Sequence, residues 1–111
     1  MQLIAQKSEE KFWENLVYQL DEVDTKILKE IYYPTPEPFI FDIFFKQLKT
    51  VHLTKSGLRK RIKKLEKFRL LEEVKKTKPL CVNPNNEVNL DLLDNLMKLL
   101  CYRLGLKNIR R

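Results

Sequence analysis

A basic segment in the middle of the chain holds the residue types best suited to binding a charged ligand. Residues 55–68 contain seven lysines and arginines and a single acid, Glu66. On a helix that turns about 100° per residue, the apolar side chains of this segment form one seam: Leu58, Ile62 and Leu65. The opposite side is polar and carries Ser56, Lys60, Lys63 and Lys67, with Arg59 and Lys64 on its flanks. Lysine and arginine bind phosphate by charge and hydrogen bonding, so the segment predicts a surface for a polyanion.

The distribution of charge along the chain supports this interpretation. The 111 residues carry a net charge of +7. Residues 8–42 have nine acids and three bases, whereas residues 46–78 have thirteen bases and three acids. A surface that only needs solvation mixes the two signs more evenly. The asymmetry therefore indicates a polyanionic partner, either nucleic acid or an anionic membrane face.

The position of each side chain on the basic helix predicts its role on duplex DNA. A helix of this kind fits the major groove, and its first residues usually reach the base edges. The candidates for base contacts are Lys55, Ser56, Arg59 and Lys60, with Arg59 suited to a bidentate contact with guanine. The candidates for phosphate contacts are Lys63, Lys64 and Lys67. Arg61 lies nearer the seam, and we expect it to brace another helix through an acid such as Asp24. The alternative is a solvated basic face that binds nothing.

The elements that position this helix are predicted to be mostly helical. Apolar periodicity and capping residues indicate helices over residues 8–20, 21–33, 39–48, 54–68 and 89–105. Suitable capping side chains stand at four of the starts: Ser8, Asp21 with Asp24, Thr54 and Asn89. Three prolines in residues 33–38 predict a stiff connector, and Gly105 predicts the end of the last helix.

After the basic helix the pattern becomes β-like. Residues 70–76 and 80–82 read as two short strands joined by a turn at 76–79. The lysines at the tip of this hairpin are Lys75, Lys76 and Lys78. They either contact DNA beside the basic helix or protect an exposed strand edge from aggregation. The sequence thus predicts a single domain, mainly α with a small β-hairpin. Its core, residues 21–83, is a winged helix-turn-helix with extra N- and C-terminal helices.

Three stretches resemble one family of regulators. Residues 53–66 (LTKSGLRKRIKKLE), 20–28 (LDEVDTKIL) and 68–71 (FRLL) are similar to the helix-turn-helix of the leucine-responsive regulator (Lrp/AsnC) family. The resemblance implies a DNA-binding transcription regulator of archaeal or bacterial type that works as a dimer. His52 and Arg69 stand where such proteins usually have turn glycines. Only about 28 residues follow the hairpin. They leave no room for the family's effector domain, so amino-acid sensing is not carried over.

The last helix has an apolar stripe with two interpretations. Its members are Leu93, Leu96, Met97, Leu100 and Leu104. The stripe either docks on the core of the same chain or forms a homodimer, together with the helix that bears Trp13. A dimer would place two basic helices on half-sites about one turn of DNA apart.

Other function classes find little support in the residues. There is one histidine, His52, and we see no nucleophile–base pair, phosphate-binding glycine loop or metal quartet. We expect Cys81 and Cys101 to be buried free thiols. No apolar run approaches the roughly 18 residues that cross a bilayer, and no signal peptide is apparent. We therefore expect a cytoplasmic, nucleoid-associated protein that is not an enzyme and has no cofactor, metal, membrane partner or small-molecule effector.

These observations predict sequence-specific binding of double-stranded DNA by a dimeric transcription regulator. Two other functions remain open at this point. The domain could be a winged-helix protein-interaction module in a transcription or replication assembly, with an acidic protein on its basic face. It could also be a sequence-neutral chromatin protein.

Overall fold

The molecule is mainly helical with a small antiparallel sheet. A computed structural model of the chain describes residues 7–48, 52–74 and 77–106. Within these ranges the helices are α1 (Lys7–Gln19), α2 (Glu22–Tyr32), α3 (Phe41–Gln47), α4 (Lys55–Lys67) and α5 (Leu90–Leu104). Two strands, β1 (Phe39–Ile40) and β2 (Cys81–Val82), form the sheet. In the described part of the chain no helix is long and apolar enough to cross a membrane.

Two helices that bear on the basic segment begin at the predicted caps. Asp21 Oδ1 accepts a hydrogen bond from Asp24 N at 2.9 Å, and Asp24 Oδ2 accepts one from Asp21 N at 3.1 Å. This reciprocal capping box confirms the predicted start of α2. Thr54 Oγ1 accepts from Gly57 N at 3.0 Å and caps α4 as predicted. A Cβ on Gly57 would lie 3.3 Å from the same oxygen, so the glycine keeps this first turn uncrowded.

The last helix also has the predicted ends. Asn89 Oδ1 accepts from the backbone N–H groups of Asp91 and Leu92 at the start of α5. Gly105 ends α5 in the left-handed region at φ 68°, where its N–H donates to Cys101 O.

Two predicted helix boundaries are wrong. The first helix begins at Lys7, so Ser8 lies inside it rather than before it. The helix predicted over residues 39–48 loses its first two residues, because Phe39 and Ile40 are extended and form β1. An aromatic and a β-branched residue that follow Pro38 are well suited to a strand. Phe39 also stacks on Phe44, with ring centroids 4.2 Å apart.

The sheet joins segments that are distant in sequence. β1 pairs antiparallel with β2, with the register Phe39↔Val82 and Ile40↔Cys81. The predicted hairpin is present only in reduced form. Leu71 makes an isolated antiparallel bridge with Pro84, and Glu72 N donates to Asn83 O at 2.9 Å. Of the predicted hairpin lysines, Lys78 is exposed, and Lys75 and Lys76 lie outside the described residues.

The apolar stripe of α5 completes the core of a single chain. α5 packs against α1 and α2. Four of its stripe residues are between 0% and 2% exposed, namely Leu93, Leu96, Met97 and Leu100. Leu104 is partly buried against the same core. The prediction that this stripe is a dimer interface is therefore corrected, because these side chains are covered within one chain. The large apolar side chains that α5 leaves exposed are instead Leu99 and Tyr102.

Candidate nucleic-acid interface

Helix α4 separates an apolar seam from a polar outer stripe. The seam of Leu58, Ile62 and Leu65 is buried, as predicted. The opposite stripe is exposed along its whole length and consists of Ser56, Lys60, Lys63 and Lys67. Burial of the seam fixes the rotation of α4 about its axis, so the four polar side chains must face outward.

Two other bases of α4 are bound within the molecule. The guanidinium of Arg61 donates to Asp21 and to Asp24 Oδ1, the latter at 3.2 Å. Lys64 Nζ lies 2.7 Å from Asp24 Oδ2. The prediction that Arg61 braces α2 through Asp24 is confirmed. Lys64 was expected on a phosphate but pairs with Asp24 instead. It faces α2 because it lies on the flank of the stripe that adjoins Arg61.

The Asp24 carboxylate is the centre of this ionic cluster. Its side chain is 0% exposed. A carboxylate without solvent stays charged in a protein only when cations and hydrogen bonds replace its water. Arg61 and Lys64 supply those cations from successive turns of α4. The cluster therefore fixes where α4 sits relative to the start of α2.

The same contacts change the acidity of two groups. Partial burial raises the pKa of Asp21, but hydrogen bonds from Arg61 and from the Asp24 backbone outweigh this effect. The pKa of Asp21 consequently falls to about 2, from an ordinary value of 3.8. The hydrogen bond to Asp21 raises the pKa of Arg61 in turn. Both shifts favour the charged pair.

The first residues of α4 also contact α3. Lys55 Nζ lies 3.3 Å from Asp42 Oδ1 and 5.9 Å from the centre of the Phe45 ring. Both charged side chains of this pair are more than half exposed, so the pair contributes little to stability. Arg59 is half-buried, with its guanidinium 5.7 Å from the centre of the Phe41 ring. These contacts orient both bases but leave them able to exchange partners.

The lysines of the outer stripe, in contrast, take no part in the ion pairs described above. Within residues 7–48, 52–74 and 77–106, Lys60, Lys63 and Lys67 form no ion pair. Like charges on successive turns repel one another by a few tenths of a kcal/mol per pair on an isolated helix. An external anion would remove that repulsion.

A cleft of about 780 Å³ runs beside α4. Its α4 wall includes Arg59, Lys63 and Lys67, and its apolar residues are Ile62, Leu71, Val74, Leu80 and Val82. The other side of the cleft carries three exposed acids, Glu72, Glu73 and Glu87. Sequence reasoning did not identify these acids as part of the site. The available indication was the presence of two adjacent glutamates inside an otherwise basic segment.

The base of the predicted hairpin is held by a buried tyrosine that the sequence analysis also missed. Tyr32 Oη donates to Leu70 O at 2.5 Å and accepts from Asn85 N at 3.2 Å. Burial raises the pKa of Tyr32 to about 12. The hydroxyl therefore stays protonated and links the two segments that flank the cleft. Nothing in the apolar periodicity of α2 distinguishes this tyrosine from an ordinary core residue.

The other residues that the sequence analysis singled out are the histidine and the two cysteines. His52 is exposed just before α4. Cys101 is buried as predicted, whereas Cys81 is exposed, because the side chains of a short strand alternate between the two faces of the sheet. No group of three or more histidine, cysteine, aspartate or glutamate side chains in the described ranges could hold a metal ion.

Comparison with models of protein families, with characterised proteins and with solved structures found no match to this chain.

Proposed function

We propose that the chain is a winged helix-turn-helix protein that binds double-stranded DNA with α4 in the major groove and regulates transcription. The observation that carries this proposal is the exposed stripe of α4. Its three lysines form no ion pair within the described residues, while the apolar seam on the opposite side of the helix is buried. A helix that is seated on its apolar side and cationic on its outer side is suited to a duplex.

The order of elements supports the winged-helix part of the proposal. α2, α3 and α4 follow one another, and the segments of the reduced hairpin come after α4. β1, between α2 and α3, pairs with β2 and so attaches the hairpin to the helices. The resemblance of residues 53–66 to the recognition helix of the leucine-responsive regulator family agrees with this arrangement.

The geometry of α4 suggests which of its side chains contact bases and which contact phosphates. Its 13 residues span about 20 Å at 1.5 Å per residue, long enough to lie across a major groove about 12 Å wide. Ser56 and Lys60 stand in the first half of the stripe, where recognition helices meet base edges. Lys63 and Lys67 continue the stripe and are suited to phosphates. Lys64 takes no part, because Asp24 holds it.

The oligomeric state of the DNA-bound form affects the length of the target. A dimer would recognise two half-sites, and a monomer one. The stripe of α5 is occupied by the core, so a dimer contact through α5 would have to use Leu99 and Tyr102.

A DNA-binding titration tests the proposal with a variant of the stripe and a matched control. The Lys60→Ala/Lys63→Ala variant removes two bases from the stripe. The Lys11→Ala/Lys98→Ala variant removes two exposed lysines from α1 and α5. Mobility shifts on genomic fragments at several salt concentrations should show roughly a tenfold loss or more for the stripe variant, with a shallower salt dependence. The control should stay near the parent protein.

The outcomes separate the proposal from its alternatives. Selective retention of a few fragments supports a transcription regulator. Uniform retention of all fragments indicates a sequence-neutral chromatin protein instead. No retention at low salt overturns DNA binding and leaves an acidic protein as the partner of the basic face. If the two variants lost affinity for DNA equally, the DNA would bind away from α4.

A further inference from the structure

We propose that Glu72 and Glu73 form an electrostatic barrier on the cleft beside α4. The barrier keeps the phosphate backbone out of the cleft and so lowers the affinity for DNA of random sequence. This inference rests on the proposed function, because it names the residues that give the same interface its selectivity.

The positions of the acids in the sequence and in the fold carry the argument. Residues 46–78 contain thirteen bases and only three acids. Those three acids, Glu66, Glu72 and Glu73, all line the cleft beside α4. Glu87, from the next segment of the chain, lines it as well. If the acids of a basic segment served only to balance its charge, they would not have to converge on a single cleft.

The contacts of these acids give Glu66 a structural role that Glu72 and Glu73 do not share. Glu66 Oε1 accepts a hydrogen bond from Val74 N at 3.0 Å, which attaches the strand segment to α4. Glu72 and Glu73 are exposed, and within the described residues their carboxylates form no ion pair. No base of the described residues therefore neutralises their charges in an ion pair, and these charges can act on an approaching anion.

The acids lie close enough to the basic stripe for their repulsion to act on a phosphate there. The acids line the same cleft as Lys63 and Lys67. The screening length is about 10 Å at 0.1 M salt, so a phosphate that entered the cleft would be repelled by carboxylates almost unscreened. The basic stripe alone would attract phosphates on both of its sides. The four acids of the cleft lining offset its four bases, Arg59, Lys63, Lys67 and Arg69, so the side of the stripe away from the cleft is the more attractive one.

This asymmetry affects random DNA more than a preferred site. On a preferred site, base contacts from the first half of α4 fix one orientation of the duplex. On random DNA, attraction to the backbone alone holds the protein, so every orientation that brings phosphates near the stripe contributes. Repulsion in the cleft removes part of those orientations and leaves the preferred one in place.

The test neutralises the barrier without changing its shape. The Glu72→Gln/Glu73→Gln variant removes two negative charges from the cleft. The Glu14→Gln/Glu30→Gln variant removes two exposed acids from α1 and α2 and raises the net charge equally. A duplex preferred by the parent protein is first selected from a random 20-base-pair library. The affinities of all three proteins for that duplex and for unselected duplex are then measured by fluorescence anisotropy. Thermal unfolding monitors the fold of each variant.

We expect the cleft variant to bind unselected duplex about fivefold more tightly than the parent at 0.1 M salt. Its affinity for the selected duplex should rise by less than about twofold. The ratio of the affinity for selected duplex to the affinity for unselected duplex therefore falls. The control variant should leave that ratio unchanged. An unchanged ratio in the cleft variant overturns the barrier while DNA binding stands. Failure to select any preferred duplex also overturns it, because there would be no selectivity to protect. Failure of the parent protein to bind either duplex overturns the proposed function itself.

Discussion

Lys64 Nζ on α4 lies 2.7 Å from Oδ2 of Asp24 on α2, whose side chain is wholly removed from solvent. This pair and the adjoining bonds of Arg61 attach α4 to α2 through charge rather than through apolar packing alone. Two of the seven bases of α4 thus serve the fold. The three lysines of the outer stripe, Lys60, Lys63 and Lys67, form no ion pair within the described residues.

Replacement of Asp24 by asparagine should destabilise the protein strongly. The amide keeps the size of the side chain but leaves Arg61 and Lys64 without their shared counter-charge. Removing one partner of a buried ion pair costs about 3–5 kcal/mol, and we expect about 3 because both cations are roughly 30% exposed. Urea unfolding followed by the fluorescence of the single buried tryptophan, Trp13, measures the change.

A neighbouring acid provides the control for that measurement. Glu22 pairs with Lys26 one turn along α2 at 3.0 Å, on the surface. The Glu22→Gln variant should change the free energy of unfolding by about 0.5 kcal/mol or less. Similar losses for the two variants would show that the buried cluster has no special role.

Asp21 should make the protein sensitive to acid in a defined range. Its pKa is lowered from 3.8 to about 2 in the folded state. A carboxyl with a depressed pKa stabilises the fold above its unfolded value, and this stability is lost as the pH falls from about 4 to about 2. Because the Asp21 side chain is half exposed, solvent screening reduces the contribution to about 1 kcal/mol. Urea midpoints at pH 7, 4, 3 and 2 should fall less steeply in Asp21→Asn than in the parent protein, and equal slopes would contradict this.

How far the sequence predicts the structure depends on the range of the interactions involved. The caps at Asp21, Thr54 and Asn89 are formed by residues two or three positions apart, and all three are present. The rotation of α4 follows from a local apolar period and is also correct. The partner of β2 could not be predicted in the same way, because pairing with β1 joins segments about forty residues apart. The burial of the α5 stripe depends on helices from the other end of the chain.

The candidate site shows the same division between local and distant interactions. Arg61 was expected to brace α2 because its angle on the helix lies near the seam. Lys64 lies on the same side of the helix but farther from the seam, and only the buried position of Asp24 shows that it belongs to the same cluster. The acids of the cleft become part of the site through the path of the chain after α4, which no periodicity describes.

Arg69 should be replaceable by glycine with a gain in stability. It is the one non-glycine residue with a positive φ in the described ranges, at 60°. A side chain in the left-handed region costs about 1–2 kcal/mol, whereas the added freedom of glycine in the unfolded chain costs about 0.4–1 kcal/mol. We expect Arg69→Gly to raise the free energy of unfolding by about 0.5–1 kcal/mol. Arg69→Ala, which keeps the strain, serves as the control, and a loss of stability specific to the glycine variant would contradict the expectation.

Removal of the Tyr32 hydroxyl should destabilise the segments that flank the cleft. Phenylalanine fills the same space but leaves Leu70 O and Asn85 N without their shared partner. Unsatisfied buried groups of this kind cost about 1–3 kcal/mol. Tyr33→Phe, at the next position, removes a hydroxyl that donates to Asp94 in a partly exposed position and should cost less. Hydrogen exchange at residues 70–74 should accelerate in Tyr32→Phe only, and unchanged protection there would show that the hydroxyl is dispensable.

Two of the bases in the first half of α4, Arg59 and Lys60, should be the ones that recognise base edges. Lys60→Ala should weaken a preferred duplex more than random DNA, by about 1–3 kcal/mol if a base contact is lost. Arg59 lies over the Phe41 ring at the edge of the cleft, and it must leave that ring to form a bidentate contact with guanine. Arg59→Lys keeps the charge but cannot form the bidentate contact. Anisotropy titrations should therefore show lost preference with little loss of random binding for Arg59→Lys, and equal losses on both duplexes would assign Arg59 to phosphates.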